Sequence, residues 1–230
     1  MTAVPAAAKR SVLALVCVVA AAGCSAAKES EPPAAHPCTI ADPSKERDLL
    51  REITKSAGFD TRINTTTAHM VDMLKADLRT VVNVGATSPW LMCGYVPEQG
   101  KDAGRVQLQV RWQPVDPRER IPEGSLPFEA NGATGMTDDT TTLLRVRCDL
   151  PGDLSSPADM PLLSVEGSFG IRAPRANMTQ ADRDRQTTFT YLMARRVTQA
   201  LGCTNKPLER PPAVKVLPLP SPSPSPSRKS

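Results

Sequence analysis

The clearest pattern in the chain is a strict alternation of apolar and polar residues over residues 105–112. The apolar positions there are Val106, Leu108, Val110 and Trp112, and arginines and glutamines stand between them. Because successive side chains of a strand point to opposite faces, this stretch predicts a β-strand with one packed face and one solvated face. Antiparallel sheets permit that division, so we expect the sheet to be antiparallel.

Three further stretches predict strands of the same sheet: residues 90–96, 140–150 and 162–171. The first is joined to the 105–112 strand by a short loop with two glycines, which suits a hairpin. Residues 114–138 are rich in proline and glycine, and they predict a long irregular loop. Loops of that length inside a compact domain are usually functional or mobile, so this one is a candidate contact surface.

Apolar residues recur at helical spacing in three other places. The first predicted helix follows Asp42 and Pro43, the second begins near residues 65–67, and the third occupies residues 177–201. Two helices, two hairpins and a final helix predict an α+β domain. We expect an antiparallel sheet of about four strands, with the N-terminal and C-terminal helices packed on one face.

The first residues of the chain have the build of a secretory signal peptide. Lys9 and Arg10 place positive charge ahead of an apolar run that ends at Ser25. The run is shorter than the roughly 20 residues that a membrane-spanning helix needs. A charged start, a short apolar segment and small residues before a cleavage site are typical of an exported protein.

The end of this run, Ala21-Ala22-Gly23-Cys24, resembles the lipobox of bacterial lipoproteins, with alanine at Ala21 where leucine is most usual. The resemblance implies cleavage before Cys24 and acyl chains, such as palmitate, on that cysteine. It also implies a lipid anchor at the outer face of the plasma membrane, which several acyl chains make stable. The alternative is cleavage by ordinary signal peptidase after a site such as Ala20-Ala21-Ala22, which releases a soluble secreted protein.

The chain uses arginine more than lysine, and it is rich in alanine and proline. This usage is typical of GC-rich bacterial genomes, and together with the lipobox it suggests an actinobacterial lipoprotein precursor. The resemblance covers only the first two dozen residues. It implies nothing about the fold or activity of the domain that follows.

Composition divides the chain into four parts. Residues 1–23 are the expected signal peptide, residues 24–37 a lipid-anchored tether, and residues 38–205 a disulfide-stabilised α+β domain. Residues 206–230 are rich in proline and end in Ser-Pro repeats. Such a segment has no means of forming a core, so it predicts a disordered polyproline tail.

Six cysteines are present, and two of them have other fates: Cys17 leaves with the signal peptide and Cys24 accepts lipid. The four that remain in the oxidising compartment are Cys38, Cys93, Cys148 and Cys203. An even number there predicts two disulfides, with three possible pairings. In the expected meander Cys93 and Cys148 lie at one end of the sheet, and the last helix returns Cys203 to that end. We therefore expect Cys148–Cys203, which leaves Cys38–Cys93.

The sequence contains no recognisable motif for catalysis or cofactor binding. The chain lacks a nucleophile elbow, a zinc-protease helix, a P-loop and a dinucleotide-binding glycine motif, so no catalytic residue and no cofactor is predicted. The four remaining cysteines lack zinc-ligand spacing, so no metal is predicted. We interpret His36 as a spacer and His69 as an exposed helix residue. Asp138, Asp139 and Glu166 are interpreted as strand-end and solvated residues rather than as a catalytic pair.

The formal net charge is +4, and loss of Lys9 and Arg10 with the signal peptide leaves +2 (4 − 2). A nearly neutral domain gives no reason to expect nucleic acid as a partner. Four arginines share the solvated face of the predicted sheet: Arg105, Arg111, Arg145 and Arg147. They are candidate contacts for an anionic polymer or a protein of the cell envelope, and the simpler interpretation is a face that aids solubility.

Three functions remain open from the sequence. The first is a non-catalytic binding or accessory module of the cell envelope, in contact with its partner through residues 114–138 or the arginine-bearing face. The second is a small-molecule binder or sensor with a pocket between sheet and helices. The third is an envelope hydrolase, which ranks last because no nucleophile and base stand together.

Overall fold

The computed structural model describes residues 36–98, 104–115, 121–152, 161–170 and 178–219. In those ranges the helices are α1 (Lys45–Thr54), α2 (Thr67–Val84) and α3 (Gln180–Leu201). The strands are β1 (Phe59–Ile63), β2 (Trp90–Pro97), β3 (Val106–Gln113), β4 (Leu126–Ala130), β5 (Ala133–Thr137), β6 (Thr141–Val146), β7 (Leu162–Phe169) and β8 (Val214–Val216). The expected signal peptide, the expected lipidation site Cys24, the expected tether up to residue 35 and the tail from residue 220 lie outside the described residues.

All eight strands form one antiparallel sheet in the order β1-β2-β3-β7-β6-β5-β4-β8. The expectation of about four strands is therefore wrong. The four predicted strands correspond to β2, β3, β7 and β6, which lie side by side. The other four strands extend this central group on both sides, so the part of the chain that the structure describes is dominated by its sheet.

The expected irregular loop at residues 114–138 is wrong over its second half, where β4 and β5 form a hairpin. Asn131 and Gly132 make the turn with positive φ angles of 51° and 85°, and Asn-Gly is the preferred pair for such a turn. Gly135 stands inside β5 because an added β-carbon would collide with the carbonyl oxygen of Leu143 and with the ring of Phe128. A glycine that resembles a loop residue therefore makes room for a core aromatic side chain.

The folded part of the chain continues beyond residue 205, where the sequence analysis places its end. Leu208 is buried, and β8 pairs with β4 as an outer strand of the sheet. Leu217 donates its backbone N–H to Pro127 O at 2.8 Å. A short strand at a sheet edge forms mainly through backbone hydrogen bonds and needs little apolar surface. The proline-rich sequence around β8 therefore gave no sign of a strand.

Helices α2 and α3 lie on the same face of the sheet. The four apolar positions that β3 was predicted to turn inward are each at most 1% exposed, which confirms the alternation. From this face, Trp112 Nε1 donates to Leu74 O of α2 at 2.7 Å. Val106 pairs in register with Phe169, and the Phe169 ring packs against Phe189 of α3. Helix α1 packs in turn on α3.

Two disulfides, Cys38–Cys93 and Cys148–Cys203, connect distant parts of the domain, in agreement with the expected pairing. Their Cα atoms are 5.7 and 5.1 Å apart, and all four cysteines are buried. The first bond ties the segment before α1 to β2. The second ties the segment after β6 to the end of α3, because both elements end at the same side of the sheet.

Candidate binding site

The candidate site begins where β2 runs past the end of β1. Strand β1 pairs with β2 only from Pro97 to Cys93. Beyond that point, at Trp90, Leu91 and Met92, β2 has a neighbouring strand on one side only in the described part of the chain, namely β3. The register of β2 on β3 shifts between Leu91 and Cys93, which marks a β-bulge. Asn64 Nδ2 donates to Leu91 O at 3.2 Å in place of a ladder bond. This end of β2 is therefore a rim of the sheet.

A cleft of about 310 Å³ lies between this rim and the first half of α2. Its lining is mainly apolar and includes Met70, Met73, Leu74, Trp90, Leu91 and Met92. Asn64, Thr65 and His69 supply the polar part of the lining. Methionine side chains are flexible and polarisable, and they adapt to apolar groups of different shapes. The composition is that of a small-molecule pocket with few polar contacts.

Two residues that line the cleft, Trp90 and Leu91, are large exposed apolar side chains, and a third, Ile63, directly precedes the lining residue Asn64. Ile63, Trp90 and Leu91 retain 43%, 42% and 40% of their accessible surface. The other described tryptophan, Trp112, is fully buried. Exposure of one large apolar side chain is common, whereas several together often mark a binding surface.

Trp90 also borders a second, polar cavity of about 380 Å³. Asp77, Thr80, Thr87 and Ser88 contribute its polar lining. The indole N–H of Trp90 donates to Asp77 Oδ2 at 2.7 Å, which holds the edge of the ring against α2. Because Trp90 lines both cavities, an apolar compartment and a polar compartment adjoin at one indole ring.

Helix α2, which forms one wall of the cleft, is fixed by hydrogen bonds at its start, in its middle and just after its end. Thr66 caps the helix, and its Oγ1 accepts the His69 N–H at 3.2 Å. Leu74 receives the Trp112 indole bond in the middle of the helix. After the helix, Thr87 N–H donates to Trp112 O, and Trp112 N–H donates to Thr87 Oγ1, both at 3.0 Å. The cleft is therefore a preformed part of the fold.

The Cys38–Cys93 disulfide lies directly behind the cleft. Cys38 Sγ is 3.5 Å from the carbonyl oxygen of Met92, which lines the cleft. The Tyr95 hydroxyl donates to Cys38 O at 3.0 Å, and burial raises the pKa of Tyr95. Arg196 of α3 donates to the carbonyl oxygens of residues 37 and 39 at 2.9 and 2.7 Å. Residues 37–39 are thus held on one side by β2 and on the other by α3.

The register places two of the four predicted arginines, Arg111 and Arg145, on the sheet face opposite the helices. Arg105 directly precedes β3 and Arg147 directly follows β6, so both lie outside the paired residues. Arg111 of β3 and Arg145 of β6 flank Ser164 of β7 in one row across the sheet. The Ser164 hydroxyl is buried and has no hydrogen-bond partner within the described ranges. The arginine row and the cleft beside Trp90 are separate features of the fold.

The three carboxylates considered as a catalytic pair have separate roles. Asp138 Oδ1 accepts two backbone N–H groups in the turn between β5 and β6, at 2.7 and 2.8 Å. Asp139 forms an ion pair with Arg183 of α3. Glu166 lies in the middle of β7 on the face away from the helices. The fold does not bring them together.

His36 accepts the Cys38 N–H at Nδ1, at 3.1 Å, so it is more than a spacer. Partial burial lowers the pKa of His36 below its ordinary 6.5, and the Thr65 backbone opposes this effect. Since the folded pKa is the lower one, the stabilisation is present above about pH 6.5 and is lost as pH falls through the folded pKa. We expect the free energy of unfolding to fall between pH 7.5 and pH 5.

The substitution His36→Asn should remove this component of the pH dependence, because Asn Oδ1 still accepts the Cys38 N–H but does not titrate. Urea denaturation at both pH values measures the difference. The reference is the wild-type protein measured at the same two pH values. An unchanged pH dependence in His36→Asn contradicts the assignment.

Sequence reasoning placed Trp90 in a strand but missed the cleft. Residues 90–93 form an unbroken run of four apolar residues at the start of β2. In a strand with one solvated face, apolar and polar residues should alternate. An unbroken apolar run therefore indicates that an apolar side chain lies on the face expected to be polar. The bulge beside Trp90 and Leu91 and the early end of β1 depend on how β2 pairs with its neighbours, which the sequence pattern does not contain.

No further marker of function accompanies these features. In the described ranges, no helix has the length and apolar character needed to cross a bilayer. The same residues contain no cluster of three or more histidine, cysteine, aspartate or glutamate side chains suited to a metal ion. No protein-family model, no curated protein and no solved structure matches this chain.

Proposed function

We propose that this chain is a non-catalytic binding module of the bacterial cell envelope. In this proposal it is exported, held at the outer face of the plasma membrane by acyl chains on Cys24, and takes an apolar group of a small molecule into the cleft beside Trp90. The observation that carries the proposal is the preformed apolar cleft, bordered by Trp90 and Leu91, which remain exposed although the domain has an extensive core.

The free energy of apolar burial supports ligand binding there. Each Å² of apolar surface removed from water contributes about 25 cal/mol, and the exposed parts of Trp90 and Leu91 are available for such burial. Ligand pockets typically measure about 300 to 1,000 Å³, so this cleft of about 310 Å³ suits one alkyl chain or a compact ring system. The methionine lining permits some variation in shape.

The titratable side chains at the two cavities support binding more than catalysis. Asp77 already accepts the Trp90 indole N–H, and His69 lies at the other cavity. A general acid–base pair acts on one reacting centre, so groups in separate compartments do not suit proton transfer. They suit the recognition of two different parts of one ligand.

A second candidate function follows from the row of Arg111, Ser164 and Arg145. Two guanidinium groups on either side of a buried hydroxyl without a partner favour contact with an anionic polymer of the envelope. Arg145 Nε donates to Gln113 Oε1 at 3.3 Å, and Arg147 Nε donates to Asp149 at 2.7 Å, so an anionic polymer would compete with partners that both guanidinium groups already have. Polyphosphate in the screen below distinguishes this candidate, since its binding should weaken steeply with salt and should not depend on the cleft.

The proposal is tested by thermal shift of the exported protein with its disulfides formed. The panel contains decyl glucoside, envelope sugars, muropeptides, lipid head groups, metal ions and polyphosphate. A ligand at 100 times its dissociation constant stabilises the folded state by about 2.7 kcal/mol, which is a shift of several degrees for a domain of this size. We expect decyl glucoside, whose alkyl chain fits the apolar compartment, to raise the melting temperature.

The substitution Met73→Glu should abolish that shift, because it places a charge among the apolar residues that line the cleft. Met136→Glu is the matched control, since Met136 is another half-buried methionine but lies on the sheet face away from the helices. A flat response of the wild-type protein to every alkyl compound, or an unchanged response in Met73→Glu, contradicts the proposal.

A further inference from the structure

We infer that the ligand of this cleft is an amphiphile with a positively charged head group, which Asp77 and the indole ring of Trp90 recognise together. The inference rests on the proposed function, because it identifies the class of molecule that the same cleft takes. The apolar part lies in the methionine-lined compartment, and the head lies in the polar compartment on the other side of Trp90.

The charge of the polar compartment favours a cation. Asp77 is the one ionisable side chain among its described lining residues, and it has no ion pair with any other described residue. A carboxylate accepts several hydrogen bonds, so the bond from Trp90 leaves capacity for a second donor. Lys75 and Arg79 stand two positions away on α2, and residues at that spacing do not share a helix face.

The end of α2 adds to this preference. The carbonyl end of a helix carries partial negative charge, which attracts cations. Helix α2 has no basic residue in its last turn, and the compartment is lined by Thr80 near that end and by Ala86 just after it. A bound cation therefore meets both the Asp77 carboxylate and a helix end that has no basic side chain in its last turn.

Trp90 supplies the third element of recognition. Its N–H edge is fixed by Asp77, and the ring is 42% exposed. Cations bind over the faces of aromatic rings, most favourably over tryptophan, and quaternary ammonium groups are recognised in this way. Other hydrogen-bonding groups nearby are already engaged: Thr80 Oγ1 donates to Asp77 O, and Thr87 Oγ1 accepts the Trp112 N–H.

The inference is tested with three probes that share one decyl chain and differ in the head: decyltrimethylammonium, decyl glucoside and decanoate. Each is titrated below its micelle concentration into the exported protein, and tryptophan fluorescence is the readout. Trp90→Phe leaves only the buried Trp112 to emit and gives the background signal. We expect decyltrimethylammonium to bind at least tenfold more tightly than decyl glucoside, and decanoate to bind most weakly.

Asp77→Asn separates head recognition from binding of the alkyl chain. The variant keeps an acceptor for the Trp90 N–H, so it should lose the tenfold advantage of the cationic probe and bind decyl glucoside as the wild type does. Asp72→Asn, which removes an exposed carboxylate from the same helix, is the control and should retain the preference.

Two outcomes overturn the inference, and they have different consequences for the proposed function. If all three probes bind with equal affinity, or if Asp77→Asn keeps the preference, the head group is not recognised, and the proposed function survives without it. If none of the probes binds, the proposed function fails as well.

Discussion

Replacing Cys38 and Cys93 with alanine is expected to lower the free energy of unfolding by about 4 kcal/mol. The bond closes a loop with a sequence separation of 55 residues, and its loss restores the chain entropy of that loop to the unfolded state. Both residues are fully buried. Because domains of this kind have a stability of roughly 5 to 15 kcal/mol, the variant should be severely weakened.

The second disulfide provides a matched comparison. Cys148–Cys203 closes a loop with the same separation of 55 residues, so its double alanine variant should lose a similar free energy. The two variants should differ at the cleft, because Cys38 lies against the Met92 carbonyl and Cys203 does not touch that site. Urea denaturation and a titration with decyl glucoside measure the two effects. Equal weakening of ligand binding in both variants, or a loss under about 1 kcal/mol in either, contradicts this account.

Trp112→Ala is expected to cost 3 to 5 kcal/mol, which is about the usual loss for truncation of a buried tryptophan. Trp112 has no exposed surface and supports α2 through the hydrogen bond to Leu74 O. Its removal leaves a cavity under the helix that forms one wall of the cleft. The free energy of unfolding from urea denaturation measures the loss.

Trp90→Ala is the control for residue type. Trp90 is 42% exposed, so its truncation creates no closed cavity and should cost less than about 1 kcal/mol, within the range of ordinary surface substitutions. The same variant should lose binding of alkyl ligands, whereas Trp112→Ala affects binding only through the fold. A large loss of stability in Trp90→Ala would show that Trp90 is part of the core and would remove the reason for assigning it to a ligand.

The centre of the sheet was predictable because its strands bury one face. Strands β3, β6 and β7 turn a row of buried residues towards the helices, and in β3 the alternation is complete. The two disulfide pairs also followed from the order of elements. Repetition of period two over several residues is a strong signal, because a shift by one residue would expose every apolar side chain.

The outer strands were not predictable in the same way. Strand β1 has four of its five residues exposed, and β8 has three residues, of which two are exposed. Proline and glycine in β4 and β5 resemble loop residues, although Gly135 is required by the Phe128 ring. Such strands form because backbone groups find partners along an existing sheet, which is a long-range effect that local composition does not encode.

The candidate site was hidden for a related reason. Trp90 belongs to a strand, Asp77 to the exposed side of a helix and Met73 to the edge of an apolar stripe, and each has an ordinary structural interpretation when taken alone. Their meeting depends on the bulge in β2 and on the short reach of β1. The arginines on the sheet face were identifiable because alternation alone places them there.

Methyl NMR of methionine is the most direct test of the claim that a ligand enters the cleft beside Trp90. The protein with both disulfides formed, labelled at its methionine methyl groups, is titrated with decyltrimethylammonium. Three methionines line the cleft, namely Met70, Met73 and Met92, whereas Met136 lies on the opposite sheet face and Met193 is buried in α3. We predict shifts of the three cleft resonances and unchanged positions for Met136 and Met193. Shifts confined to Met136, or no shift at saturating probe, would contradict the central claim.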